Sequence, residues 1–314
     1  MAADLRIVEA SLLRSIRDDP DVVAGPMEDL FEAGGKRIRP VLVLLSAKCG
    51  LYDLDRLIPA AMAVELTHAA TLVHDDVIDR AAVRRGRPTV AARLGDEPAI
   101  VVGDYYFAKA YELAALTESP AVVAILARAV MGVCAGEVRQ QAIRHRYSTS
   151  VDEYMRRIEA KTATLLAACC DIGALLGELT DQERSALRTY GRLLGLAFQI
   201  ADDVLDYVGS EDEIGKPIGQ DIAEGFATLP LMLAIEDPSV ARELKQKLVD
   251  GHPLTGDQAH EVAEMVKTSR GPTQALERAR EHASEARRQL TALHASEARD
   301  ALAELAAYVV SRKL

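Results

Sequence analysis

The 314-residue chain has no tryptophan, 4% aromatic residues and four cysteines. With so few aromatics, and no apolar–polar alternation bounded by turns, sheets are excluded as the main architecture. Cys49, Cys134, Cys169 and Cys170 form no CxxC pair and have no histidine at zinc spacing. A structural zinc or a disulfide framework is therefore not expected. Positive charge is short as well: 37 Lys and Arg stand against 48 Asp and Glu, a formal net charge of −11. A general nucleic-acid binder needs a basic face to displace phosphate counterions, so no nucleic-acid partner is expected. An acidic protein can still hold a phosphorylated ligand where its basic residues converge. No Gly/Ser-rich, Pro-rich or low-complexity linker marks a seam, so residues 1–314 read as one domain. No run approaches the ~20 apolar residues of a membrane span. The N-terminal MAADLRIVEASLLRSIRDD is interrupted by charge every few residues, which suits an amphipathic helix rather than a secretion signal. The expectation is a soluble, reduced, cytoplasmic protein.

What the chain does have is helical periodicity almost throughout, and 49% hydrophobic residues with which to bury a large core. The pattern predicts helices over 3–18, 21–33, 37–49, 55–81, 98–116, 120–145, 151–178, 181–209, 227–236, 238–248, 256–268, 272–292 and 295–311. Breaks are expected at Pro20, Pro26, Gly34-Gly35, Gly50, Pro88, Pro120, Pro217, Pro253 and Gly271-Pro272. Two segments share an unusual design. Segment 55–81 is apolar from Pro59 to Val73 and ends in acid; segment 181–209 runs GRLLGLAFQI and then ADDVLD. A helix apolar on nearly all sides belongs inside a bundle. Each of these therefore carries carboxylates from an oily interior to one end.

Those carboxylates are Asp75, Asp76 and Asp79 in DDVID, and Asp202, Asp203 and Asp206 in DDVLD. Residues four apart share a helix face, so Asp75 stacks on Asp79 and Asp202 on Asp206. Stacked carboxylates repel unless a cation lies between them. Their oxygens suit a hard divalent ion such as magnesium, shared with substrate phosphates. One such motif alone reads as a solvated acidic patch. Two, each ending a long apolar helix, do not. Basic residues supply the complement: Lys36, Arg37 and Arg39 follow a glycine pair in GGKRIRP, and Arg84, Arg85 and Arg87 lie in RRGRP. Arginine forks match phosphate oxygens, so acid followed by arginine reads as a metal-and-phosphate cradle.

With GGKRIRP, THAATLVHDDVIDRAAVRRGRPT, VVGDYYFAKA, KTATLL, FQIADDVLD and GKPIGQDIAEGFATLP in this order, nearly the whole chain resembles the trans-isoprenyl diphosphate (polyprenyl) synthases. The resemblance implies an all-α, single-domain bundle of about a dozen helices around a central cavity, the isoprenoid synthase type. It implies the head-to-tail condensation of isopentenyl diphosphate with an allylic diphosphate, releasing diphosphate. It also implies three Mg2+ ions held by Asp75, Asp79 and Asp202, with Asp76, Asp203 and Asp206 acting through water or as support. Arg84, Lys161 and Lys216 look like allylic-diphosphate contacts; Lys36, Arg39, His68 and Arg85 look like the isopentenyl-diphosphate pocket. Thr162 and Gln199 would lie beside the developing carbocation, with Lys161 in the same catalytic group. The metals and arginines would stabilise charge on the departing diphosphate, and an apolar chamber would keep water from the cation. Such synthases look like homodimers, and their products are suited to delivery to a membrane; the apolar stretch 98–134 reads equally as an interface helix pair or as buried core helices. One position departs from the pattern: Phe226 stands where the family often has a lysine touching the allylic diphosphate.

Thr71, Ala70 and Thr67 lie four, five and eight residues before Asp75, about 6 to 12 Å down the helix. In relatives with short products an aromatic at the Ala70 position closes the floor. The small residues here imply a long-chain product of six or more isoprene units. The alternatives are a short-chain synthase, a non-catalytic subunit of a heteromeric synthase, and a class I terpene cyclase. The second DDxxD and the GGKRIRP segment weigh against the cyclase.

Overall fold

The computed structural model describes residues 1–209 and 218–311. Among these the chain is all-α apart from one two-residue hairpin. The helices are α1 Ala2–Arg17, α2 Asp21–Glu32, α3 Ile38–Lys48, α4 Leu54–Ile78, α5 Val90–Leu94, α6 Asp96–Ala115, α7 Pro120–Ala142 and α8 Val151–Ile158. After a π turn at Glu159–Ala163 come α9 Thr164–Leu176, α10 Asp181–Val208, α11 Gln220–Ala223, α12 Leu229–Ala234, α13 Ala241–Lys247, α14 Gly256–Thr268, α15 Gly271–Gln289 and α16 Glu297–Val309. The hairpin pairs β1 (Val83–Arg84) with β2 (Arg87–Pro88), Val83 opposite Pro88.

The chain packs as two compact units. The first comprises Met1–Val130, Ala168–Arg188 and Leu293–Arg299; the second comprises Met131–Ala167, Thr189–Ala292 and Asp300–Leu314. In the first, α4 is the buried axis: Ala60 to Ala70 includes ten residues almost without exposure, and α3 and α6 pack against it. Small residues let helices meet closely there. A side chain at Gly173 would run into the Val43 carbonyl, and one at Gly103 would strike the His74 ring. In the second unit Tyr147, Tyr154, Ile200, Val204, Tyr207 and Leu231 belong to one continuous core.

Most predicted boundaries lie within three residues of the observed ones, and the differences have local causes. Pro26 does not break α2. A proline there removes one helical hydrogen bond, and the carbonyl that loses its donor belongs to Val22, a residue 71% exposed on the first turn, within reach of solvent. The helix predicted to reach residue 81 stops at Ile78, because Arg80 turns left-handed (φ 53°) and the Ala81 amide returns to the Asp76 carbonyl. The hairpin went unread because its turn is made by Arg85 (φ 51°) and Gly86 (φ 77°), and arginine is not a usual left-handed residue. The expectation that no segment approaches a membrane span also needs correction: α4 and α7 are both long and apolar enough by composition. For α4 the reason is that it is a core helix, 67% buried over its apolar stretch, whereas α7 is 28% buried.

Candidate active site

The last turn of α4 carries Asp75 and Asp76, with Asp79 as its C-cap and no basic residue. The negative end of the helix dipole already lies there, so three added carboxylates are unfavourable without a cation. The structure separates their roles. Asp76 is 1% exposed and its Oδ1 accepts from Arg84 Nε at 2.7 Å, while Asp75 is half-buried and Asp79 exposed. Arg84 is thus held by the inward aspartate, on the strand that leads into the Arg85-Gly86 turn. His74 lies in the notch left by Gly103, its Nε2 3.0 Å from the Ile100 carbonyl oxygen, which makes it a packing residue.

In the same unit the predicted isopentenyl-diphosphate residues converge. Arg39, Arg85, Arg84 and Arg37 all act on His68, which burial first and these cations next hold well below its ordinary pKa, so the ring is neutral. Arg85 donates to the Gly34 carbonyl, and a Cβ at Gly35 would meet the Arg85 and Arg37 guanidiniums at 3.1 and 3.2 Å, a tight contact. Burial lowers the pKa of Arg39 and of Arg85, and Glu65 opposes both shifts. Lys36 is exposed beside them. The sequence grouped Arg37 with these cations, yet its guanidinium is taken up by Glu9, Glu65 and the Phe31 carbonyl. Of the chain-length positions, Ala70 is wholly buried and Thr67 nearly so with its hydroxyl unpartnered; Thr71 donates to the His68 carbonyl at 2.7 Å.

In the second unit the end of α10 repeats the theme with different partners. Asp203 is 3% exposed and accepts from Tyr154 Oη at 2.7 Å and from Gln199 Nε2 at 2.8 Å. Burial, the largest cause, raises its pKa to about 6 against these stabilising hydrogen bonds. Thr162 donates to Gln199 Oε1 at 2.7 Å, so Thr162, Gln199, Asp203 and Tyr154 form one chain of hydrogen bonds. Asp206 accepts the Gln220 and Asp221 amides at 3.2 and 3.1 Å and so caps α11; Asp202 is half-buried. Lys161 lies in the π turn, where Thr164 donates to the Glu159 carbonyl, and its Nζ is 2.9 Å from Glu137 Oε2. Lys216 lies outside the described residues.

Sequence reasoning missed Tyr154 and Asp221. Burial first, then Asp206 and Asp203, pushes the Asp221 carboxyl well above its usual range, and its position in GQDI right after the acidic helix was the available signal. Tyr154 had no local signal, because its partner is 49 residues away. Phe226 is buried, its ring 5.6 Å from the Arg144 guanidinium and 6.0 Å from that of Arg157. Arg157 is 4% exposed and donates to the Ala227 carbonyl at 2.9 Å.

Among the described residues, no three His, Cys, Asp or Glu side chains are grouped so as to hold a metal by themselves. The donors at both helix ends are carboxylate oxygens, the chemistry that suits a hard divalent ion completing its shell with water and phosphate. Residues 20–266 match the polyprenyl synthetase family model. The chain is 39% identical to heptaprenyl diphosphate synthase component 2 of Geobacillus stearothermophilus, over 99% of this chain and 97% of that one. It is 37% identical to a short chain isoprenyl diphosphate synthase of Methanothermobacter thermautotrophicus, over 99% and 95%. The polyprenyl synthase of Caulobacter crescentus, solved with calcium and isoprenyl diphosphate, superposes with a TM-score of 0.92 at 37% identity, covering 100% of this chain and 96% of that one. Matched in sequence over most of its length and in fold over all of it, this chain belongs to the polyprenyl synthetase family and is a prenyltransferase.

Proposed function

We propose that this chain condenses isopentenyl diphosphate with an allylic diphosphate in the presence of Mg2+ and builds a trans-polyprenyl diphosphate of six or more isoprene units. The observation that carries the reading is the shared design of α4 and α10. Each is a long helix, apolar in the stretch before its acidic end, whose inward aspartate is fixed by the protein, Asp76 by Arg84 and Asp203 by Tyr154 and Gln199. In this reading Asp75, Asp79 and Asp202 would ligate three Mg2+ ions, with Asp76, Asp203 and Asp206 acting through water or in support. Arg84, Lys161 and Lys216 would contact the allylic diphosphate; Lys36, Arg39, His68 and Arg85 would receive isopentenyl diphosphate.

Metal held by these aspartates would supply charge neutralisation to the departing diphosphate. Neutral His68 can donate one hydrogen bond without adding charge, and the arginines around it supply the electrostatic attraction. Long-chain elongation is supported by the heptaprenyl relative and by the small residues Ala70, Thr71 and Thr67. Substituting Ala70→Phe should shorten the product, and an unchanged product ladder would count against this floor. A second copy of the chain suits the exposed apolar side chains of Met131 and Val138 on α7, at 65 and 73% exposure. The setting is cytoplasmic, with the product delivered to a membrane.

The test is incubation of the purified chain with labelled isopentenyl diphosphate and farnesyl diphosphate, with products sized by chromatography. Products of six or more units support the reading; products stopping at four would make it a short-chain synthase. A second reading is favoured by the name of the Geobacillus relative, a component 2, together with Phe226. It predicts that the chain alone is inactive and gains activity only with a partner chain.

A further inference from the structure

We infer that Glu65 is a resident counter-anion of the arginine cluster on the first unit, a positioning residue that keeps Arg37 away from substrate and holds diphosphate affinity below its attainable limit. The inference rests on reading that cluster as the isopentenyl-diphosphate pocket. Glu65 lies one turn before His68 on α4 and is 5% exposed. Its Oε1 accepts from Arg37 Nη1 at 2.9 Å; its Oε2 is buried with no partner, as is Arg39 Nε. A carboxylate and a guanidinium left half-satisfied in a buried pocket are each costly, so the arrangement calls for an account.

Arg37 is fixed on three sides, by Glu9 Oε1 at 3.0 Å, the Phe31 carbonyl at 2.9 Å and Glu65. It also holds a left-handed backbone (φ 48°) at the start of α3, which is strained for arginine. It is an anchor in the middle of Lys36-Arg37-Ile38-Arg39, orienting the cations on either side. Its Nη1 and that of Arg85 both lie within 3.2 Å of one point beside Gly35, so two like charges approach each other there. Glu65 offsets that repulsion in the ligand-free protein, and its field acts on both Arg39 and Arg85.

An arriving diphosphate faces the same arginines and is repelled by the same carboxylate. Neutralising Glu65 therefore raises the free energy of the empty pocket and relieves the occupied one. Both changes favour binding.

The decisive variant is Glu65→Gln, which keeps size and shape. Binding of isopentenyl diphosphate, and separately of inorganic pyrophosphate, is measured by calorimetry on the full chain in EDTA, so that metal at the aspartates takes no part. The expected result is a lower ligand-free Tm, a Kd tighter on the order of tenfold, and a larger ligand-induced rise in Tm than in the wild type. Binding that weakens or stays the same overturns the inference. Should Glu65→Gln not fold, Glu65→Asp, which draws the charge back by one methylene, should still tighten binding, and a failure to do so has the same force. Arg39→Gln separates the two layers of argument. If it leaves isopentenyl-diphosphate binding intact, the pocket itself is misassigned; if it weakens binding while Glu65→Gln does not tighten it, only the role given to Glu65 falls.

Discussion

The ends of α4 and α10 carry the same DDxxD spacing but are stabilised in different ways. On α4 the inward carboxylate, Asp76, is matched by a full positive charge on Arg84. On α10 the inward carboxylate, Asp203, is matched by a phenol and an amide, and its pKa is raised to about 6 by burial. The third aspartates differ too: Asp79 is an exposed C-cap, whereas Asp206 receives two backbone amides and orders α11. A short motif thus fixes which helix face carries carboxylate, but tertiary partners decide how each inward carboxylate is held. The α4 motif is a charged pair anchored to a hairpin; the α10 motif is a neutral-donor network anchored to the π-turn segment.

Substitutions that remove an outward carboxylate should have the largest effect. Asp75→Ala and Asp202→Ala should each lower kcat/KM by roughly a thousandfold while the protein stays folded, since each removes charge stabilisation from the transition state. Circular dichroism and steady-state kinetics check both halves. The inward aspartates should show the contrast between the two helices. Asp76→Asn leaves Arg84 without its counter-charge and should cost about 2–3 kcal/mol of stability. Asp203→Asn replaces a carboxylate held by neutral donors and should cost about 1 kcal/mol. Urea unfolding in EDTA measures both, and equal losses would erase the distinction.

A smaller effect separates the motifs by pH. Asp203 has a folded pKa near 6 against an ordinary 3.8, so between these values the folded protein holds a proton that the unfolded chain has released. In EDTA, its contribution to stability is complete below the ordinary value and is lost as pH rises through about 6. Asp221, raised by burial first and then by Asp206 and Asp203, contributes a dependence of the same sign. Asp203→Asn should flatten this profile between about pH 3.8 and about 6.

Much of this architecture was legible in sequence because helix period and helix punctuation are local. Segments 256–268 and 120–145 were read to within a few residues, and the two acidic clusters were found at the ends of two long helices. The missed features depend on partners distant in sequence. That Arg37 is an anchor follows from Glu9 and Glu65, each 28 residues away. That Asp203 is turned inward follows from Tyr154, and the π turn that divides segment 151–178 has no periodicity signature of its own. Pro26 misled for the opposite reason: a local rule was overridden because the residue whose carbonyl loses its donor, Val22, is exposed.

The most direct test of the central claim is incorporation of labelled isopentenyl diphosphate by the purified chain alone, with farnesyl diphosphate as primer, in Mg2+ and again in EDTA. The account predicts polyprenyl diphosphates of six or more units in Mg2+ and none in EDTA. Failure to incorporate label in Mg2+, or incorporation that survives EDTA, would contradict it.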